Sequence, residues 1–195
     1  LKDLDFALEQ NVDWVGLSFV RSARDIIELK GIIRSQDKHA RVVAKIEKPE
    51  ALLEIDDIIR ESDALMVARG DLGVEIPMEK VPLIQKDIIR RCLAMHRPVI
   101  VATQMMESMI TNITPTRAEV NDVANAVLDH ADAVMLSAET SVGKHPVEVV
   151  KAMNRILVEM ETADGMYNVA NPPLESNDRT ISDAISIAAV RMTEA

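Results

Sequence analysis

The sequence predicts an α/β fold organised around five parallel strands, and three observations point that way. Five short apolar segments start roughly 22 to 35 residues apart, a spacing that suits a strand–helix–strand crossover. They are continuous apolar runs rather than strict alternations, as expected of parallel strands covered on both faces. Each ends in polar or charged residues, the pattern that gathers one polar site at the carboxyl ends of such a sheet.

The elements follow in order. Leu4, Ala7 and Leu8 have helical spacing, and the segment stops at Gln10-Asn11. Val12 to Val20 reads as the first strand, and Ala23 to Ser35 as a helix with Ile26, Ile27, Leu29 and Ile32/Ile33 on one stripe. Val42 to Glu47 is the second strand, Leu52 to Glu61 a helix, and Ala64 to Ala68 the third strand. A helix over Val81 to Met95 is entered through Pro77 and Pro82; Pro98 to Thr103 and Ala133 to Ser137 are the fourth and fifth strands. Pro146 opens a helix to about Glu161, in the first turn where its missing N–H costs nothing. A turn-rich stretch, Gly165 to Thr180, precedes a last helix beginning near Ser182. Five strands are too few for a closed barrel of about 250 residues. The residues alone leave open a doubly wound sheet or the later part of a barrel.

Composition bounds the function. Apolar residues make up 48% of the 195 and aromatics only 2%, so aliphatic side chains and eleven Met fill the interior. A formal net charge of −10 argues against non-specific binding of nucleic acid or anionic membranes. It leaves room for an anionic substrate, because a lysine and a divalent metal can reverse the field locally. No apolar run approaches about 18 residues, and no signal-peptide pattern is present, so a soluble cytoplasmic protein is expected. The single cysteine, Cys92, rules out an internal disulfide and is expected to be a small buried hydrophobe. The chain opens mid-pattern at Leu1 and stops inside an apolar helical run, Ile181 to Met192, so both ends are expected to lie inside a longer chain.

The chemistry concentrates at the second and third strand ends. Lys45 and Glu47 are two apart on one strand and leave it on the same face. Asp71 follows the next strand behind Gly70, which lets the backbone come close to a ligand. Two carboxylates from adjacent strand ends make a hard-oxygen site of the kind Mg²⁺ uses. Lys45 beside it would be a fixed positive charge for a transferring phosphoryl group or a developing enolate. The same spacing also allows a plain Lys45–Glu47 ion pair with Asp71 capping a turn. Thr103 ends the fourth strand and can bond a carboxylate, relay a proton or cap a helix. Ser18 and Ser137 end their strands in the same way, with Glu139 close behind. Gln104 to Met109 reads as a helix packing methionines inward. Thr116 and Glu119 have capping-box spacing, and Arg117 between them could hold an anion or a neighbouring subunit. His39, His96, His130 and His145 show no metal-ligand spacing and are expected at the surface.

Read together, these segments closely resemble the pyruvate kinase family. The matching runs are Ala44–Glu47, Met66–Ile76, Ala102–Met109, Pro115–Glu119, Asp122–Val127 and Met135–Thr140, in the family's order and spacing over almost the whole chain. The resemblance implies part of a (βα)₈ TIM barrel and phosphoryl transfer from phosphoenolpyruvate to ADP, giving pyruvate and ATP. By position, Lys45 resembles the lysine that stabilises the transferring phosphoryl group, and Glu47 and Asp71 resemble the Mg²⁺ ligands. Gly70, Asp71, Thr103 and Lys45 resemble the substrate contacts, and Thr103 resembles a group on the route that protonates the enolpyruvate. The resemblance also implies a homo-oligomer (a tetramer in the family) and a potassium ion whose site lies outside this chain. It assigns residues 1–163 to the fourth to eighth barrel strands, 164–180 to a linker, and 181–195 to the first helix of a carboxyl-terminal domain. Ala138 and His130 stand where glycine is frequent in the family.

Two rivals stand beside the kinase. One is another Mg²⁺-dependent phosphoenolpyruvate or pyruvate barrel, a lyase or aldolase; the other is a non-catalytic assembly fragment, since open sheet edges invite pairing. The chain alone is expected to turn over poorly, because nucleotide and potassium groups lie outside it.

Overall fold

The right-handed twist of a parallel strand feeding a helix leaves few ways to connect five strands, and strand order decides between them. In a computed structural model, which describes residues 2–162 and 181–193, the strands are β1 (Trp14–Leu17), β2 (Arg41–Ile46), β3 (Ala64–Ala68), β4 (Val99–Ala102) and β5 (Ala133–Met135). They form one parallel sheet in the order β1-β2-β3-β4-β5. A doubly wound sheet reverses direction at a switch point. This order never reverses, so right-handed crossovers put the connecting helices on one face, as in a barrel wall.

Those helices are α1 (Lys2–Glu9), α2 (Ala23–Ser35), α3 (Ile55–Glu61), α4 (Arg69–Glu75), α5 (Val81–Ala94), α6 (Arg117–Leu128), α7 (Ala138–Ser141) and α8 (Pro146–Thr162). Short 3₁₀ turns cover Pro49–Glu54, Met78–Lys80 and Glu107–Ile110. The chain divides into two compact units, Leu1–Ala163 and Asp164–Ala195. In the second, the described element is a helix, Ile181–Thr193; the expected linker at 164–180 lies outside the described residues.

Alternate strand residues meet different surroundings. Val42, Ala44, Ile46, Leu65, Val67, Val99 and Val101 share one core with Ile26, Ile33, Ile58, Ile88, Ile89, Cys92, Val123 and Val149 from the helices. Their neighbours point the other way: the in-register row Lys45, Met66 and Ile100 is half-buried, and Trp14 is 41% exposed. Val43, Ala64, Ala68 and Ala102 on that same face are buried, so the expected cover is complete on the helix side and partial on the other. Helices cover one face, and the other is the kind of surface a barrel turns to its lumen.

Four helix ends use the same device. Asn11, Asp37, His96 and His130 take left-handed backbone with φ between 53° and 66°. The next residue's N–H then reaches back five positions, as in Arg97 to Cys92 (2.9 Å) and Ala131 to Ala126 (3.0 Å). This is the Schellman closure, in which a left-handed residue usually is glycine. A frequent glycine at the His130 position thus has a backbone cause. Two aspartates pin the strand starts in another repeated way. Asp63 donates its N–H to the Val42 carbonyl (3.0 Å) and accepts from the Val42 N–H (2.8 Å). Asp132 does the same with Val99, at 3.0 and 2.9 Å.

Burial pushes the Asp63 carboxyl up, but the Val42 amide and the Lys30 ammonium outweigh it and hold it below its ordinary value of 3.8. A lowered folded value means that its stabilisation is complete above the unfolded value and is lost as pH falls through the folded one. Asp63→Ala strands the buried Val42 N–H and should lower unfolding free energy at pH 7 by about 1–3 kcal/mol in a urea titration. That deficit should shrink below pH 3.8; a constant deficit down to pH 2 would refute the linkage. Cys92 is fully buried, and burial, with Asp132 nearby, pushes its thiol up to about 12. Iodoacetamide at pH 8 should therefore label it only at the rate of unfolding.

Candidate active site at the carboxyl ends of the strands

Lys45 and Glu47 sit where β2 gives way to loop. Lys45 follows the half-buried face, while its neighbour Ile46 is fully buried against the helices. Glu47 is only 2% exposed, and a carboxylate so buried must be partnered. Its Oε1 lies 2.6 Å from Lys45 Nζ, and its Oε2 accepts the Phe19 N–H at 2.8 Å. Phe19 has φ 58°, which is why β1 stops at Leu17 instead of running to Val20. Lys45 Nζ also donates to Ser18 Oγ at 2.9 Å. An ammonium has three donors, so one N–H has no partner among the described residues. The ion pair that the spacing allowed is present, and it leaves the lysine with a free donor.

The next strand end is built around Arg69. Its guanidinium donates from Nε and Nη2 to the Thr103 carbonyl (3.2 and 2.8 Å) and from Nη2 to the Gln104 carbonyl (3.0 Å). Nη1 pairs with Asp122 at 2.7 Å, and the Arg69 side chain is only 10% exposed. Thr103 and Gln104 are consecutive left-handed residues, φ 67° and 53°, a conformation of order 1–3 kcal/mol above the ordinary one for each non-glycine residue. Thr103 Oγ1 accepts the Gly70 N–H at 2.8 Å and donates to the Ala102 carbonyl at 2.7 Å. A Cβ on Gly70 would stand 3.2 Å from that hydroxyl. The close approach expected of Gly70 is thus realised first toward Thr103. Asp71 lies in the first turn of α4, a short helix that the sequence analysis did not include. Its side chain is exposed and makes no hydrogen bond or ion pair among the described residues.

The remaining candidates fall into place around these. Ser18 touches Lys45. Ser137 and Glu139 meet: the 2%-exposed Glu139 accepts the Ser137 N–H at 2.7 Å and the Met106 N–H at 3.2 Å. Met105, Met106 and Met109 are fully buried as expected, but on bends and a 3₁₀ turn rather than a helix. The Thr116–Glu119 capping box forms, and Glu119 also takes the Ser108 amide and hydroxyl at 2.7 and 2.6 Å. Burial raises the Glu119 carboxyl, yet the Ser108 and Thr116 donors outweigh it and lower it. Arg117 is exposed, as are His39, His96 and His130; His145 is half-buried. Sequence reasoning gave Arg69 no role. The available signal was an arginine at the end of a buried strand, which has to find acceptors. A cavity of about 610 Å³ lies at the opposite end of the sheet, beside Asp13, Trp14 and Arg41, and does not reach these groups.

Glu47 and Asp71 follow neighbouring strands, and each keeps lone pairs available for a cation. Hard oxygens of this number suit Mg²⁺, which takes one or two carboxylates and fills its shell with water and substrate oxygens. No group of three or more His, Cys, Asp and Glu able to cage a metal occurs among the described residues.

Residues 1–150 match the family described as pyruvate kinase, barrel domain. A pyruvate kinase of Agrobacterium vitis is 55% identical over 181 residues, 93% of this chain and 37% of its own length. One from Mycobacterium tuberculosis strain H37Rv is 51% identical over 189 residues, covering 97% of this chain and 39% of its own. A solved pyruvate kinase from Cryptosporidium parvum superposes with a TM-score of 0.92 at 41% identity, over 97% of this chain and 41% of its own. The chain thus spans about a third to two fifths of the length of the curated relatives it matches. From the barrel-wall topology, the strand-end motifs and these matches together, the chain belongs to the pyruvate kinase family.

Proposed function

We propose that this chain carries the lysine–carboxylate half of an active site that transfers the phosphoryl group of phosphoenolpyruvate to ADP. The supporting observation is the Lys45 ammonium, 2.6 Å from the buried Glu47 and with one donor unused among the described residues, on the strand that neighbours the one Asp71 follows. The P–O bond to the enol oxygen breaks, a bond forms to a terminal oxygen of ADP, and the enolate takes a proton at carbon to give pyruvate. Lys45 holds positive charge where the phosphoryl oxygens gather negative charge, and Glu47 and Ser18 fix its position. Mg²⁺ held by Glu47 and Asp71 would supply a Lewis acid for the substrate oxygens. Thr103 stands at the neighbouring strand end with a hydroxyl that can lie on the proton route. Asp71 would offer its backbone N–H from the first turn of α4, and Gly70, whose own N–H is held by Thr103 Oγ1, would leave the substrate room to approach.

The same reading places the protein in the cytoplasm as a homo-oligomer, with glycolytic ATP formation as its role and a potassium site built by residues outside this chain. It assigns residues 1–163 to the barrel, 164–180 to a linker and 181–195 to the start of a further domain. A lyase or aldolase would use the same enolate-stabilising groups without ADP, so ADP-dependent pyruvate formation separates the two.

In a full-length protein carrying this segment, Lys45→Ala should cut kcat by about 10²–10³-fold with a much smaller change in KM for phosphoenolpyruvate, as expected of a transition-state contact. Equal losses in both would make Lys45 a structural residue. Glu47→Ala and Asp71→Ala should each raise the Mg²⁺ concentration for half-maximal activity at least about tenfold, in the range seen when metal coordination is disturbed. An unchanged metal titration would remove that residue from the ligand set.

A further inference from the structure

The structure assigns Arg69 as the positioning residue that holds Thr103 in the site, a role that rests on the functional reading above only for its kinetic consequence. The physical case is local. Two successive left-handed residues turn two successive carbonyls, those of Thr103 and Gln104, toward the same point. Without a donor there, the half-buried Thr103 carbonyl would lose its partners next to the buried Met105 and Met106, while that of the exposed Gln104 could turn to water. The Arg69 fork meets both carbonyls at once, at 2.8 and 3.0 Å from the same Nη2, with Nε adding a second bond to Thr103.

Arg69 is also the residue next to Gly70, whose N–H is received by Thr103 Oγ1 at 2.8 Å. One short stretch of β3's end therefore grips Thr103 twice, by carbonyl and by hydroxyl. Asp122 at 2.7 Å and Gln85 at 3.4 Å orient the guanidinium from α6 and α5. A lysine places all its donors on one nitrogen and could not meet both carbonyls and Asp122 together, because that takes the spread of Nε, Nη2 and Nη1 over the planar fork. Arg69 is directed at the protein's own backbone; its effect on the reaction would run through Thr103.

Two measurements test this. In this chain, Arg69→Lys should speed hydrogen exchange of the Gly70 amide at least about tenfold, because Thr103 Oγ1 is no longer held over it. Asp122→Asn, which keeps both carbonyl contacts, should leave that rate within about twofold and so controls for general loosening. Unchanged exchange in Arg69→Lys, or equal acceleration in both variants, overturns the assignment. In the full-length protein, Arg69→Lys should lower kcat about 10²-fold while KM for ADP stays put, the usual scale for a misplaced group. Combined with Thr103→Ala it should be no worse than Thr103→Ala alone, since both act through one hydroxyl. Losses that multiply would show that Arg69 acts elsewhere. Should the unaltered full-length protein make no pyruvate from phosphoenolpyruvate and ADP, the functional reading fails, and the exchange rates still decide the role of Arg69.

Discussion

A carboxylate with 2% of its surface exposed has to be compensated, and Glu47 is compensated by its two nearest donors, the Lys45 ammonium and the Phe19 amide. That constraint organises the strand ends. It forces Phe19 into a left-handed turn, which ends β1 early and delivers Ser18 to Lys45. It also fixes a flexible lysine side chain at a defined place on the half-buried face of the sheet. Only the carboxylate is buried, its lysine partner keeping 27% of its side-chain surface, so the desolvation cost falls on Glu47 and is offset by its two donors.

The fold supplies the convergence. Because the strand order is sequential, every carboxyl end lies at the same edge of the wall and every connecting helix on the same face. Apolar packing therefore takes one face, and the other is free to carry Lys45 among Met66 and Ile100. The loops that follow are tied together by buried and half-buried polar groups with their partners in place. Glu139 joins the end of β5 to Met106, Glu119 joins α6 to Ser108, and Arg69 joins β3 to β4.

Much of this was legible in the residues. α2 and β3 have the bounds that periodicity suggests, Ala23–Ser35 and Ala64–Ala68, because the Ser22 cap and the Ser62-Asp63 turn punctuate them locally. The Thr116 capping box was equally local. The misses share a cause: each was decided by a contact across the sheet. β1 is shortened by Glu47, twenty-eight positions from the Phe19 amide it accepts. The Gln104–Met109 stretch has helical methionine spacing but is bent by the left-handed Thr103 and Gln104 and held by Glu139. Arg69 lies in a motif whose letters were visible, but the carbonyls that need it exist only once β4 has turned. The strand-end positions of Lys45, Glu47, Gly70, Asp71 and Thr103 were legible because each follows a continuous apolar run whose length marks where the strand stops.

The most direct test replaces Mg²⁺ with paramagnetic Mn²⁺ and reads amide line-broadening along this chain in the presence of phosphoenolpyruvate. Broadening should be strongest at Glu47, Gly70, Asp71 and Thr103 and absent at Asp13, Arg41 and Asp63, at the other end of the strands. Broadening centred on the latter group, or spread evenly over the surface acids, would contradict a metal-assisted site at the carboxyl ends.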